Sequence, residues 1–335
     1  MNILYLLGNG FDKAQDMATS YPEFYADLMN YKPKNPLEID VLNTIRSDYN
    51  NWADLEEALG KYTTKWNESS QFRSVLKFLN VKLKEYLTKE NARAGEQTQL
   101  SFQKLAADLA SPYKYLEEQG TAIYHDFFNH ADHVSVNIVS FNYTDTLERA
   151  LADITIGDSI TIVDGQLYFL SNILHIHGTL DDMIMVGVND DSQIAYDQFR
   201  IDDDIRDEFI KPEINEGCQN TRNATFTKMI NDADIIVLFG VSVGITDNKW
   251  WTTIGRKMDT TNSLLLYFPY DPTKDTIGFP NYKRRWSNKF IELLKERMQM
   301  KHDMDYLRNH ICIGINKDFL KLTGVPDTQT KKIVV

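Results

Sequence analysis

The stretch Ile3-Leu4-Tyr5-Leu6-Leu7 is apolar at every position and ends at a glycine. A strand that is apolar on both sides of its pleat has to be covered on both faces, which is the situation of strands in parallel sheets. Similar runs recur at Val134 to Phe141, Ile173 to Ile176, Ile184 to Val188, Ile235 to Phe239, Leu264 to Phe268 and Ile311 to Ile315. Several are followed by Gly, Asn or Ser and then by a helical pattern, an alternation that implies βαβ units. The expected fold is α/β, with a mostly parallel sheet and helices on both faces.

Between the first run and Val134 the pattern is helical. Trp52, Leu55 and Leu59 share one face, and Phe72, Val75, Leu76, Leu79, Leu83, Tyr86 and Leu87 follow the i, i+3, i+4, i+7 rule. Phe102, Leu105 and Leu109 repeat it, while the polar Glu90 to Thr98 reads as a loop. The spacing predicts a large helical insertion after the first strand. Residues 1–20 plus 131–335 would form the α/β nucleotide-binding domain, and 21–130 the inserted helical subdomain. A second insert, roughly 189–220, is rich in aspartate and reads as a lid or a solvated surface.

The 335 residues carry a net charge of −12, which repels polyanions at long range and disfavours nucleic acid as a partner. The one dense basic run, Lys283-Arg284-Arg285, reads as a solvated helix start. Cys218 and Cys312 are the only cysteines, too few for a disulfide framework or a Cys-rich zinc knuckle within one chain. The first residues lack a basic region and read as a strand, not a signal peptide. No apolar stretch approaches ~20 residues, so no spanning helix or membrane partner is expected, and the expected location is cytoplasmic.

Four motifs carry chemistry. Gly8-Asn9-Gly10-Phe11-Asp12 follows the first strand, where glycines let the backbone turn sharply and approach a phosphate. It departs from GxGxxG, because Lys13 stands at the sixth position, and a plain tight turn is the other reading. In Ser140 to Glu148 (SFNYTDTLE), Asn142 falls at a strand's carboxyl end, where α/β sheets bind ligands; the alternative for it is a turn role, and for Asp145 a helix cap. In His175-Ile176-His177-Gly178, strand alternation puts both histidines on one face, and His177 at the strand end suits acid–base work or a ribose hydroxyl. A structural role is the bland reading of each. In Gly240-Val241-Ser242-Val243-Gly244-Ile245-Thr246-Asp247, the glycines allow close approach and Ser242 can donate to a phosphate or ribose. Asp247 could equally cap a helix, and Trp250 and Trp251 read as core anchors before base-stacking groups.

Together, in this order, GNGFD (8–12), TSYPEF (19–24), WADLEEAL (52–59), SFNYTDTLE (140–148), HIHG (175–178) and GVSVGITDNKWW (240–251) resemble the AbiH family of bacterial abortive-infection proteins, over about three quarters of the chain. That family is in turn similar to the sirtuin-like (SIR2-like) superfamily, which implies a Rossmann-like fold and NAD as substrate or ligand, with no metal. By that resemblance Gly8 and Gly10, with Asn9, Phe11 and Asp12, would cradle the pyrophosphate. Asn142 would hold the nicotinamide ribose or position water, and Asp145 would bind the carboxamide. His177 would act as general base or orient a ribose hydroxyl. Gly240 and Ser242 would contact the adenosine side, with Tyr143, Gly178, Gly244 and Asp247 completing the site. The carboxylate stands three residues after Asn142, where sirtuins place it two after, and two scattered cysteines cannot supply a deacetylase zinc module. Cleavage of NAD with water as acceptor, in an anti-phage effector, is therefore the leading expectation. The resemblance also implies self-association and a phage-derived trigger. The alternatives are a non-catalytic nucleotide-binding sensor, with Glu56 and Glu57 on a partner surface, and a metal-dependent nuclease using His175, His177 and Asp181.

Overall fold

A computed structural model of the chain describes residues 1–66, 68–128, 133–270, 280–314 and 318–324. Ile315 and the expected boundary at 130–131 lie outside the described residues. The strands are β1 (Asn2–Leu7), β2 (His133–Ser140), β3 (Ser159–Val163), β4 (Gln166–His175), β5 (Ile235–Phe239), β6 (Leu264–Phe268) and β7 (Ile311–Ile313). They form one seven-stranded sheet in the order β3-β4-β2-β1-β5-β6-β7. Every pairing is parallel except that of β3 with β4. The parallel strands, counted as they appear in the chain, thus run 3-2-1-4-5-6 across the sheet, and the order reverses between β1 and β5. At such a reversal the connections leave in opposite directions and open a crevice at the carboxyl ends of the strands.

The all-apolar strands are explained by their two faces. Ile3, Tyr5 and Leu7 enter one core cluster, with the helices Phe102–Ala110, Glu118–Phe127 and Thr146–Leu151. Leu4 and Leu6 enter a second, with the helices Arg222–Asp232, Asn248–Thr260 and Pro280–Met298. A third cluster joins the helices Tyr21–Leu28, Pro36–Ser47, Leu55–Tyr62 and Ser69–Gln97 to residues between Ile184 and Ile210. The two inserts therefore share one core.

Two expectations are corrected. Ile184 to Val188 is not a strand of the sheet; Ile184, Val186 and Val188 pack into the third cluster, and Val188 makes one isolated bridge to Ile210. The run reported burial correctly, but burial against helices. Glu90 to Thr98 is not a loop, because the helix that starts at Ser69 continues to Gln97. Glu, Ala, Arg and Gln are good helix formers, and polarity there marks a solvated helix face. The aspartate-rich insert forms the helices Asp197–Arg200, Asp203–Phe209 and Lys211–Gly217 and buries Phe199, Ile205 and Phe209.

The turns after β1 and β5 touch directly. Gly10 N donates to Gly240 O at 3.0 Å and Gly8 N to Phe239 O at 2.9 Å. Gly240 has a φ of +63°, a region glycine enters without strain. A Cβ on Gly10 would stand 2.4 Å from Gly240 Cα and 2.6 Å from Tyr270 Cβ. One on Gly8 would stand 2.6 Å from Gly240 O. Gly10→Ala is therefore expected to cost on the order of 3 kcal/mol or more in urea unfolding, or to prevent folding. Gly217→Ala, whose added Cβ meets nothing within 4 Å, serves as the control and should change stability by less than about 1 kcal/mol. Equal midpoints for the two variants would remove the glycine contact from this account.

Candidate functional site

At the reversal point lies a cavity of about 460 Å³. The turn after β1 lines it through Gly8, Asn9 and Asp12, the end of β2 through Phe141 to Thr144, and the end of β4 through His177. The loop after β5 adds Gly240 to Ser242, Thr246 and Asp247, and Trp251 follows. Its far wall comes from the helical insert, with Tyr21, Asp54, Glu56, Leu83 and Leu87.

Asn142 is held on several sides. Its Nδ2 donates to Gly8 O at 3.1 Å, and its N–H donates to Ser140 Oγ at 3.1 Å. Its carbonyl lies 2.9 Å from His175 Nδ1, so Nδ1 carries a proton there. The other nitrogen of His175, Nε2, faces Glu148 at 2.8 Å. Burial opposes charge on His175, but the Glu148 carboxylate prevails and moves its pKa up. His175 thus clamps the Asn142 backbone.

The expected pairing of the two histidines does not hold. The strand ends at His175, and His177 turns to Asp247 instead. Asp181 is exposed, and among the described residues no group of three or more His, Cys, Asp or Glu is arranged to hold a metal. The set His175, His177 and Asp181 is not assembled.

His177, 5% exposed, packs edge-on against Phe141 and lies with Nε2 2.9 Å from Asp247 Oδ1. The approach is close, but it falls outside hydrogen-bond alignment, which leaves both atoms buried without an aligned partner. Lys211 Nζ sits 2.8 Å from the same Asp247 oxygen and 2.8 Å from Glu56 Oε2. Glu56 Oε1 accepts from Gly187 N at 3.1 Å. Burial and the Lys211 charge push His177 below its ordinary pKa, against the pull of Asp247. Burial opposes charge on Asp247 too, yet the Lys211 ammonium holds its carboxyl below the usual range, with His177 adding to this only when it is charged. Glu56 is pushed up to about 7, by burial first, against Lys211. The site therefore offers a neutral imidazole beside an ionised carboxylate.

Asp12 is 1% exposed. Its Oδ2 accepts from Thr144 Oγ1 at 2.8 Å, while Oδ1 is buried with no partner. Burial raises its pKa to about 6, against the hydrogen bond from Thr144, the nearby polar groups of Thr146 and Asn142 and the charge of Arg149.

The structure thus brings Gly8, Asn9, Asp12, Asn142, Tyr143, His177, Gly240, Ser242 and Asp247 to one cavity. Gly10, Phe11, Gly178, Gly244 and Asp145 stand outside its lining. Gly10 packs on Gly240, and Phe11 belongs to the first core cluster. Gly178, at a φ of +84°, leaves no room for a side chain against Met183 O. Gly244 accepts from Trp251 Nε1 at 2.7 Å. Asp145 is exposed and pairs with Arg149 at 2.7 Å. Sequence reasoning missed Asp54, Glu56 and Lys211. Glu56, expected on a partner surface, is buried in the cavity wall, while Glu57 pairs with Lys61. The available signal was position: Glu56 precedes Leu59 by three residues, beside the helix's apolar stripe.

A family model described as bacteriophage abortive infection AbiH matches residues 4–268 of the chain. No curated protein matches it.

Two outcomes follow from the buried charges. Asp12 titrates near 3.8 when unfolded and at about 6 when folded, so folding takes up a proton between those values and stability falls as pH rises through that window. Asp12→Asn should therefore gain on the order of 3 kcal/mol over wild type above pH 6, and the gain should vanish below about pH 4 in pH-resolved urea melts. Lys211→Met strands two buried carboxylates and should lose about 3–5 kcal/mol; a loss below about 1 kcal/mol would contradict the network.

Proposed function

The chain belongs to the bacteriophage abortive infection AbiH family, and on that premise we propose that it is an anti-phage effector that binds NAD in this cavity and hydrolyses it to ADP-ribose and nicotinamide. The carrying observation is that Asn142 and His177, from the ends of two different strands, line the same cavity at the sheet's reversal point. The strand order supports a Rossmann-like, sirtuin-like reading of the fold.

The lining suits a nucleotide in its donor set. Asn142, Thr144, Tyr143 and Ser242 are neutral polar groups of the lining, of the kinds that hydrogen-bond hydroxyls and amides. The N–H groups of Gly8 and Gly10 are engaged by Phe239 O and Gly240 O. In this reading the glycines shape the turn, and the phosphates lie toward Asn9 and Ser242.

Hydrolysis breaks the bond between ribose C1′ and the nicotinamide nitrogen, and the bond's electron pair leaves with neutral nicotinamide. Water forms the new bond to C1′ and gives up one proton. His177, held neutral, would receive that proton at Nε2 once the ring swings off Asp247, which stands 2.9 Å from that nitrogen. Asn142 orients the ribose or the water, and the buried walls exclude other water. A second reading, a non-catalytic NAD sensor, is favoured by one observation: His177 Nε2 faces Asp247 at 2.9 Å instead of standing free.

Purified protein, alone or from phage-infected cells, should consume NAD. Asn142→Ala and His177→Ala should each slow consumption by roughly 100-fold or more. Because the His177 pKa is lowered from 6.5, the neutral base persists into acid, and the acidic limb of the rate profile should lie below pH 6.5. Saturable NAD binding without turnover under every condition selects the sensor reading. A folded protein that binds no nucleotide rejects both.

A further inference from the structure

Gly244 turns its bare side toward a small polar recess in the cavity wall. A Cβ built there would have as its three nearest atoms Ser242 Oγ at 3.4 Å, Thr246 Oγ1 at 3.8 Å and Asp54 Oδ2 at 4.0 Å. All three of those residues line the cavity. None of the three oxygens has a hydrogen-bond partner among the described residues. Asp54 caps the helix Leu55–Tyr62, and its Oδ1 accepts from the N–H groups of Glu56 and Glu57. The cap fixes the carboxylate and leaves Oδ2 over. Thr246 is 4% exposed, yet its hydroxyl is not among the oxygens sealed in without a partner, so it is reached from the cavity. The same holds for Asp54 Oδ2. The Gly244 backbone is itself held, since its carbonyl accepts from Trp251 Nε1 at 2.7 Å. The loop after β5 and the helical insert thus direct three free oxygens at one space.

A carboxylate oxygen accepts only, while a hydroxyl both accepts and donates. Grouped around one space, they match adjacent hydroxyls on a ligand, the vicinal diol of a sugar ring. They do not match a phosphate. It would meet the Asp54 charge in a poorly screening wall, with no lysine or arginine among the described lining residues. Lys211, behind the wall, is taken by Glu56 and Asp247. We propose that Asp54, Ser242 and Thr246 form a subsite for the free 2′,3′-diol of a ribose, and that Asp54 excludes ligands phosphorylated on that ribose. The inference rests on the NAD reading above, in which Asn142 takes the nicotinamide ribose and the phosphates lie toward Asn9 and Ser242. The ribose left over, next beyond Ser242, is that of adenosine. The subsite adds a residue that sets specificity, and it gives the helical insert a direct contact with the ligand. The substrate class narrows from nicotinamide dinucleotides in general to those whose adenosine ribose is unmodified.

The test is calorimetric titration of the full chain with two pairs of probes. One pair is NAD and NADP; the other is ADP-ribose and its adenosine 2′-phosphate, which have no nicotinamide bond to lose. The members of each pair differ by one phosphate on the adenosine ribose. The free-diol member should bind tighter by roughly 100-fold or more. Gly244→Ala probes the recess directly. Gly244 has a φ of −71° and a ψ of 160°, which alanine adopts freely, and the added methyl meets nothing closer than 3.4 Å. The variant should melt like wild type and bind the free-diol members weaker by about tenfold or more, because the methyl occupies the place of the diol. Asp54→Asn keeps a cap acceptor, and in it the ratio within each pair should fall toward one. Equal binding of the two members by wild type, or unchanged affinity of folded Gly244→Ala for ADP-ribose, overturns the inference while the NAD reading stands. Failure to bind any of the four probes overturns both. The wild-type ratio is decisive even if a variant misfolds.

Discussion

Everything at the centre of this molecule depends on two backbone turns touching with no side chain between them. Gly10 and Gly240 lie at the point where the sheet reverses its order, and a methyl on either would collide with the other's backbone. The contact seats the turns that follow β1 and β5 against each other, continuing the ladder that pairs the two strands. Asn142, on the neighbouring β2, is then tied to Gly8 O and inherits that position. Three sequence-distant segments acquire a common geometry from backbone contacts and one side-chain amide, before any charged group is considered. The glycines are thus explained by packing, and their worth to a ligand is indirect: they allow the turns that open the cavity.

The charged groups form a second level, built on the first. Lys211 comes from the aspartate-rich insert, Glu56 from the helical insert, and Asp247 from the loop after β5. A buried ion-pair network of this kind contributes little net stability, because desolvation offsets attraction, but breaking it is costly. Its consequence here is positional. It fastens both inserts, which share one hydrophobic core, onto the sheet's crevice, and it leaves His177 neutral beside an ionised carboxylate. The inserts are therefore walls of the site.

Much of the sheet was legible because strands buried on both faces cannot hide: β1, β5 and β6 are near-continuous apolar runs, and β2 carries Val134, Val136, Ile138 and Val139. The edge hairpin was not read, because β3 buries only Ile160, although the Asp164-Gly165 turn between β3 and β4, both residues at positive φ, is a hairpin signal. Ile184 to Val188 misled because an apolar run reports burial and not the partner that provides it. In the site, Asn142 and His177 were legible from their positions at strand ends. Glu56 and Lys211 were not, since charged residues read as solvated until a partner is known, and theirs lies 155 residues away.

The account's central claim is that NAD lies in this cavity with its scissile bond between the groups from β2 and β4. A crystal structure of the full chain soaked with saturating NAD tests it most directly. The account predicts ligand density with the ribose–nicotinamide bond beside Asn142 and His177 and the pyrophosphate toward Asn9 and Ser242. Dinucleotide bound elsewhere on the molecule, or an empty cavity at saturating NAD, would contradict it.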